Sequence, residues 1–378
     1  MSREKRILYV QYTNPGAYPP LEHSSRILAD SGWRVRFLGT ESDATNRLAF
    51  PPHPNIAVRL RPFQQPGWRQ KLHYLSFMGW CLRCCLTWRP NVVYCSDPLS
   101  APIGVFVWYL LRLPVVYHEH DAPGQPTNVI LRLVHAMRRR LARVAAACVV
   151  PQKERLSRFV ADLKPRHAMC VWNCPRLAEV SGPKTRRSAG TLKVLYHGSI
   201  VPERVPESLV RALVECPPGV SLTVIGYETI GAQGYIDHLV SLSRQMNCAE
   251  RFHVRAAVSR FELWRHVREH DVGCGFVPRG SGDANLSAMI GASNKVYDYL
   301  AAGLALMTSR LPDWEAEYTA YGRPADPNDP KDVAAAWNWF LERPDETRSF
   351  GEAGRRRILD DWNYERQFEP IRSLLGTL

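Results

Sequence analysis

The chain has 378 residues, 45% of them hydrophobic and 22% charged, totals that exclude intrinsic disorder and exceed one typical core, so two domains are expected. Its net charge of +13 is unevenly placed: residues 1–180 hold 25 Lys+Arg against 11 Asp+Glu, and residues 181–378 hold 24 against 25. Such a one-sided field favours an anionic partner, whether nucleic acid, an acidic membrane surface or a phosphate-bearing molecule.

Met1 to Arg6 is charged and leads straight into a β-like stretch without a signal-peptide hydrophobic region, so a cytoplasmic location is expected. Short β-branched or aromatic runs then alternate with segments of helical period, the pattern of an α/β fold built on parallel sheets. Strands are expected near Ile7–Tyr12, Val35–Leu38, Ile56–Leu60, Val92–Tyr94, Val115–Tyr117, Cys148–Val150 and Cys170–Val171, with a helix from about Leu21 to Ser31 that stops at Gly32. Between Pro66 and Pro90, Trp68, Tyr74, Phe77, Trp80 and Trp88 interleave with Arg69, Lys71, Arg83 and Arg89, a mixture that settles at a lipid headgroup boundary. The spacing of Leu72, Leu75, Leu82 and Leu86 equally suits the core face of a helix. The longest apolar run, Ala101 to Leu111, is 11 residues, whereas roughly 20 are needed to span a bilayer as a helix.

After Asn173 the text turns polar through Ser181, Gly182, Pro183, Lys184 and Gly190, a linker. A second series follows, with strands near Lys193–His197, Leu222–Ile225, Phe252–Val254, Val272–Gly275 and Ala305–Met307, and a last helix from about Tyr364 to Leu375. The expected domains are 1–180 and 181–360, with 361–378 packing back on the first. Ten cysteines lie without paired metal-ligand spacing; Cys81, Cys84 and Cys85 come nearest and lack a second cluster, so free thiols are expected.

Three segments can carry chemistry. Val115-Val116-Tyr117-His118-Glu119-His120-Asp121 puts two histidines and two acids at a strand end. Adjacent strand residues point to opposite faces, so three convergent metal ligands are hard to obtain there; a histidine oriented by a neighbouring acid, or one satisfying backbone carbonyls, are the other readings. In Tyr196-His197-Gly198-Ser199 a strand reaches a Gly turn, and a helix opens near Pro206. Gly198 admits a ligand to the backbone, and Arg204 can fork two hydrogen bonds to a phosphate. Ala292 to Gly303 reads as a helix opened by Ser293 or Asn294, with Lys295 in its first turn and Asp298 one turn further on the same face. A cation at that end opposes the helix dipole and makes sense beside a bound anion.

Together these segments resemble family 4 of the retaining GT-B glycosyltransferases, over nearly the whole chain. The match to the family's Asn-Lys-x-x-acid-Tyr-x-Ala-x-Gly segment is carried by Asn294, Lys295, Asp298, Tyr299, Ala301 and Gly303. The resemblance implies two Rossmann-like domains facing across a cleft and a UDP- or GDP-sugar donor held without a metal or other cofactor. It implies that His120 contacts the transferred sugar, with Asp121 beside it. Gly198, Ser199, Arg204, Ser293, Asn294 and Lys295 would surround the diphosphate, Asp298 would hold the ribose, and the base would stack near Val254–Ala256. It implies acceptor-side residues at Gly16, Glu22 and His23, a glycan or lipid-linked acceptor, and retention of anomeric configuration. Three departures from the family stand out: Ile290 occupies the place of its first glutamate, Ser199 that of a basic residue, and Gly16, where the family often has two adjacent glycines, is followed by the bulkier Ala17-Tyr18-Pro19-Pro20-Leu21-Glu22-His23, a loop expected to shape the acceptor side. The basic first half suggests peripheral docking on an anionic membrane, and no nucleic-acid motif appears. A non-catalytic scaffold of the same fold and a sugar-nucleotide epimerase are the alternatives.

Overall fold

A computed structural model describes residues 4–378 apart from 43–47, 185–187, 230, 279–284 and 286–288. The chain forms two compact units, Met1–Asn173 with Tyr364–Leu378, and Cys174–Asn363. The division falls at 173/174 and 363/364 rather than at 180/181 and 360/361. Residues 174–180 are already bound into the second unit, where Glu179 accepts from Arg260.

In the first unit β1 (Arg6–Val10), β2 (Arg34–Thr40), β3 (Ile56–Arg61), β4 (Val92–Ser96), β5 (Val115–His118), β6 (Ala147–Val150) and β7 (Ala168–Cys170) form a seven-stranded parallel sheet ordered β3-β2-β1-β4-β5-β6-β7. Between them run α1 (Pro19–Asp30), α2 (Trp68–Trp88), α3 (Ala101–Leu111), α4 (Val129–Val144) and α5 (Lys153–Leu163). Strands β4, β5 and β6 are buried along their whole length. Helices cover both faces of such a sheet, so these strands read as unbroken apolar runs rather than alternating ones.

In the second unit β8 (Leu192–Ser199), β9 (Val220–Tyr227), β10 (Phe252–Ala256), β11 (Val272–Gly275), β12 (Ala305–Ser309) and β13 (Gly322–Ala325) form a six-stranded parallel sheet ordered β10-β9-β8-β11-β12-β13. Its helices include α6 (Glu207–Val214), α7 (Tyr235–Gln245), α8 (Arg260–Arg268), α9 (Asn294–Ala301), α10 (Pro312–Tyr318), α11 (Pro330–Glu342) and α12 (Pro344–Asp360). Each sheet reverses its strand order once, between β1 and β4 and between β8 and β11. Open α/β sheets bind ligands at the carboxyl ends of the strands flanking such a reversal.

The closing helix α13 (Tyr364–Thr377) belongs to the first unit, where Tyr364, Phe368, Ile371 and Leu375 share a core with Ile7, Tyr9, Leu21 and Val92. The second unit is thus an insertion between Asn173 and Tyr364. Among the described residues no helix is long and apolar enough to cross a membrane.

Three details depart from the sequence reading. Strand β8 continues through Gly198 and Ser199, because Gly198 lies opposite Gly226, where a Cβ would fall 1.8 Å from the Gly198 carbonyl oxygen. Strand β13, Gly-Arg-Pro-Ala, carries no apolar run, and its proline is tolerated because the strand lies at the sheet edge. On α2 the core face is Phe77, Cys81, Cys84 and Cys85, whereas Leu72, Leu75 and Leu86 are exposed.

Candidate functional site

In the second unit the strand reversal places Gly198 at the carboxyl end of β8. Its φ is 119°, and a Cβ built there would meet Lys295 Cε at 3.4 Å and Nζ at 3.5 Å. Lys295 is 8% exposed, with Nζ 3.4 Å from Tyr196 Oη and 4.8 Å from the centre of that ring. Arg204 Nη1 donates to Ser199 Oγ at 2.6 Å. Burial first, and then the charge of Arg204, hold the Lys295 pKa well below the usual lysine range, with Asp298 pulling the other way. Two cations set around an open glycine fall in energy when an anion lies between them.

Helix α9 supplies further donors. Ser293 stands at its N-cap and its side chain makes no capping bond, so the N–H groups of the first turn, from Asn294 on, retain donor capacity. One turn on, Asp298 is buried and accepts from Arg260 Nη2 at 2.9 Å and Nη1 at 3.3 Å, with His197 Nε2 at 3.6 Å. Burial, then Lys295 and Arg260, keep the His197 pKa well below the usual histidine value. The same guanidinium bonds Glu179 Oε2 at 3.0 Å, and Trp264 Nε1 donates to Glu179 Oε1 at 3.1 Å. The structure brings Gly198, Ser199, Arg204, Lys295 and Asp298 together but not Val254. Val254 pairs with Val224 inside the sheet and packs on its core, whereas the row of Gly198 runs through Gly226 to Ala256.

In the first unit His120 is 6% exposed, its ring 3.9 Å from that of His118 and 5.2 Å from that of Tyr18. Neither ring nitrogen of His120 has a hydrogen-bond partner among the described residues. Burial, then Arg155, push its pKa down to about 3, so the imidazole is neutral at physiological pH. Asp121 beside it is exposed. Glu119 is committed elsewhere, accepting from Arg138 Nη2 at 2.7 Å and Tyr117 Oη at 2.7 Å. Among the described residues no three His, Cys, Asp or Glu side chains are placed to hold a metal ion.

The acceptor-side candidates lie apart in role. Gly16 sits in the 3-10 turn Pro15–Ala17, where a Cβ would fall 2.2 Å from the Leu48 carbonyl oxygen, so close packing already requires glycine. Glu22 pairs with Arg26 at 3.1 Å. His23 is 2% exposed and packs edge-on against Tyr364 of α13, with centroids 5.2 Å apart.

The glycosyl transferase 4-like domain family matches residues 19–172, and the glycosyl transferase-like family matches residues 203–373. The chain belongs to the glycosyl transferases. No curated protein sequence matches this transferase. Among solved structures, HepE of Anabaena in complex with UDP and glucose is similar at 16% identity and a TM-score of 0.75, covering 99% of this chain and 100% of that one. Sucrose-phosphate synthase of Thermosynechococcus elongatus is similar at 14% and 0.70, covering 99% of each. Trehalose 6-phosphate synthase of Burkholderia multivorans is similar at 13% and 0.65, covering 99% of this chain and 97% of that one. These likenesses show the fold, GT-B.

Four charged residues of the transferase escaped the sequence reading. Arg260 and Glu179 form the network around Asp298. Arg155 Nη1 donates to the His120 carbonyl at 2.7 Å. Asp97, just after β4, has a φ of 64°, strained for a residue other than glycine. Its carboxylate accepts the His120 N–H at 2.9 Å and Gln11 Nε2 at 3.2 Å. Burial pushes its pKa up to about 7; the His120 N–H opposes the rise, and Asp121 and Glu119 add to it. A Ser-Asp-Pro run straight after a buried strand was the available signal.

Proposed function

We propose that this transferase moves a sugar from a UDP-sugar to the hydroxyl of a lipid-linked or membrane-proximal glycan, with retention of anomeric configuration. The observation that carries the reading is the pair Lys295 and Arg204 set around the bare backbone of Gly198 at the end of β8. The likeness to a structure holding UDP and glucose supports the choice of nucleotide.

In this reading Arg204, Lys295 and the first N–H groups of α9 hold the two phosphates. They stabilise negative charge on the leaving oxygens as the bond to the anomeric carbon breaks, with no reorganisation at the moment of reaction. Asp298, held in place by Arg260, accepts a ribose hydroxyl. His120, neutral, offers its ring nitrogens to a sugar hydroxyl and orients it rather than attacking. The acceptor hydroxyl enters on the face the diphosphate leaves and passes its proton to the departing phosphate, which gives retention. The first unit carries the acceptor, and its positive charge draws the transferase to the inner face of the cell membrane as a peripheral protein.

A thermal-shift panel of UDP, GDP and the free nucleosides tests the donor site: stabilisation by UDP is expected, and indifference to every nucleotide turns the reading toward a scaffold. A screen of sugar nucleotides for donor hydrolysis, repeated with Arg204→Ala and His120→Ala, tests the residues. If both variants turn over donor as fast as the parent, the assignment is wrong.

A further inference from the structure

The first unit holds a cavity of about 680 Å³ that none of the donor-site residues reaches, within the usual range for small-molecule sites of about 300–1,000 Å³. Helix α3 packs against both α2 and α4, and the cavity runs between the latter two, with walls that include Tyr74, Leu75 and Met78 of α2 and Leu131, Leu133 and Met137 of α4. Its aromatic polar tips are already occupied: Tyr74 Oη donates to the Leu99 carbonyl at 2.6 Å, and Tyr12 Oη lies 2.8 Å from His73 Nδ1. What the walls offer is mostly hydrocarbon. Exposed apolar side chains continue from the cavity onto the surface, with Leu75 at 62% and Leu133 at 57% exposure, and such a patch marks an interaction site.

Two observations say what covers it. The first is charge. Arg69, Lys71 and Arg83 lie on α2, and Arg132, Arg138, Arg139, Arg140 and Arg143 lie on α4, while α2, α3 and α4 carry no acidic residue at all. Of these Lys71 lines the groove itself, which also holds one acid, Glu41; an apolar groove beside helices whose charges are all positive suits an amphiphile with an anionic head. The second is position. Tyr12 and Thr13, which line the cavity, run directly into the turn Pro15–Ala17 at the carboxyl edge of the sheet. A chain lying in the groove therefore leaves its head at that edge.

We propose that this groove binds the hydrocarbon chain of the acceptor, a single-chain lipid phosphate, with Lys71, which lines it, and the exposed Arg69 and Arg132 near the starts of α2 and α4 receiving the phosphate. This rests on the reading of the protein as a transferase acting on a lipid-linked acceptor, and it assigns that acceptor a site. The groove selects by chain length. Each further methylene buried raises affinity by up to about fourfold until the cavity is full, after which affinity levels off.

The test is a calorimetric titration of the full chain with octyl, decyl, dodecyl and hexadecyl phosphate, each below its micelle concentration. Saturable one-to-one binding that strengthens with chain length is expected, with no competition from inorganic phosphate. The double variant Leu75→Glu, Leu133→Glu should weaken it at least tenfold; Val160→Glu, an exposed apolar site on α5, should not. The length series is measured on the parent and needs no variant to fold. Affinity independent of chain length, or equal loss in both variants, overturns the site. So does sedimentation showing a dimer that the double variant dissolves, which makes a second copy the occupant, or adherence to phosphatidylglycerol vesicles that dodecyl phosphate does not relieve, which makes it a general membrane face. Stabilisation by UDP without alkyl phosphate binding sinks this site alone, whereas loss of both sinks the transferase reading as well.

Discussion

Replacing Lys295 with methionine separates binding from stability. Nζ is buried, 3.4 Å from the Tyr196 hydroxyl and beside the backbone of Gly198, and its pKa is held well below the usual range by burial and by Arg204. In the ligand-free protein that charge is a liability. Methionine has a similar length and no charge to desolvate, so Lys295→Met should stabilise the free protein by about 1 kcal/mol or more, a rise of about 2–4 °C in melting temperature per kcal/mol for a domain of this size. With UDP the sign reverses. A hydrogen bond to a charged group contributes about 1.5–3 kcal/mol, so UDP affinity should fall about 10- to 150-fold while uridine affinity stays unchanged. The pH dependence follows from the same group. A phosphate raises the depressed lysine pKa, so UDP binding takes up protons and weakens as pH rises, and in the variant that slope disappears. Calorimetry in two buffers of different ionisation enthalpy reads both affinity and proton uptake. A variant that melts lower than the parent yet binds UDP as tightly would refute the reasoning.

Gly198→Ala places a side chain at a φ of 119° and against Lys295; a cost of about 1–3 kcal/mol in urea unfolding and loss of UDP stabilisation are expected together. Arg260→Ala leaves the carboxylates of Asp298 and Glu179 without their shared cation and should cost about 3–5 kcal/mol, with donor binding lost in parallel, measured by the same unfolding and titration. Asp97→Asn should flatten the pH dependence of stability. The native carboxyl, raised to about 7, holds its proton where the unfolded one has released it, so its contribution is full below pH 3.8 and is lost as pH rises through about 7. Urea midpoints at pH 4, 5.5 and 8 compare parent and variant.

Much of the architecture was legible because buried parallel strands leave a strong trace. Val92–Tyr94 and Val115–Tyr117 have no polar residue to alternate with, and the Ser293–Gly303 segment carries its own start and stop. What escaped depends on partners distant in sequence. Arg260 meets Glu179 and Asp298 only through the fold, and Asp97 has an unusual pKa only because the chain closes over it. On α2 leucines and cysteines share the helical period, so periodicity alone could not tell which set faces inward; Cys81, Cys84 and Cys85 go to the core, Leu82 packs at its margin, and Leu72, Leu75 and Leu86 face outward. Within the expected span Val254–Ala256 the sequence could not say which residue shares a row with Gly198, because strand register, which fixes Ala256 opposite Gly226, is not written in a single strand.

The insertion of one unit between Asn173 and Tyr364 imposes an order on synthesis. Residues 174–363 are contiguous and can finish folding while the ribosome still holds the tail. The first unit cannot, since Phe368, Ile371 and Leu375, made only after residues 174–363, complete a core begun by Ile7 and Tyr9. The nascent chain therefore carries the first unit's sheet unsealed throughout the synthesis of residues 174–363, an apolar surface open to misassembly, and a stop codon shortly after Asn363 would leave it open for good.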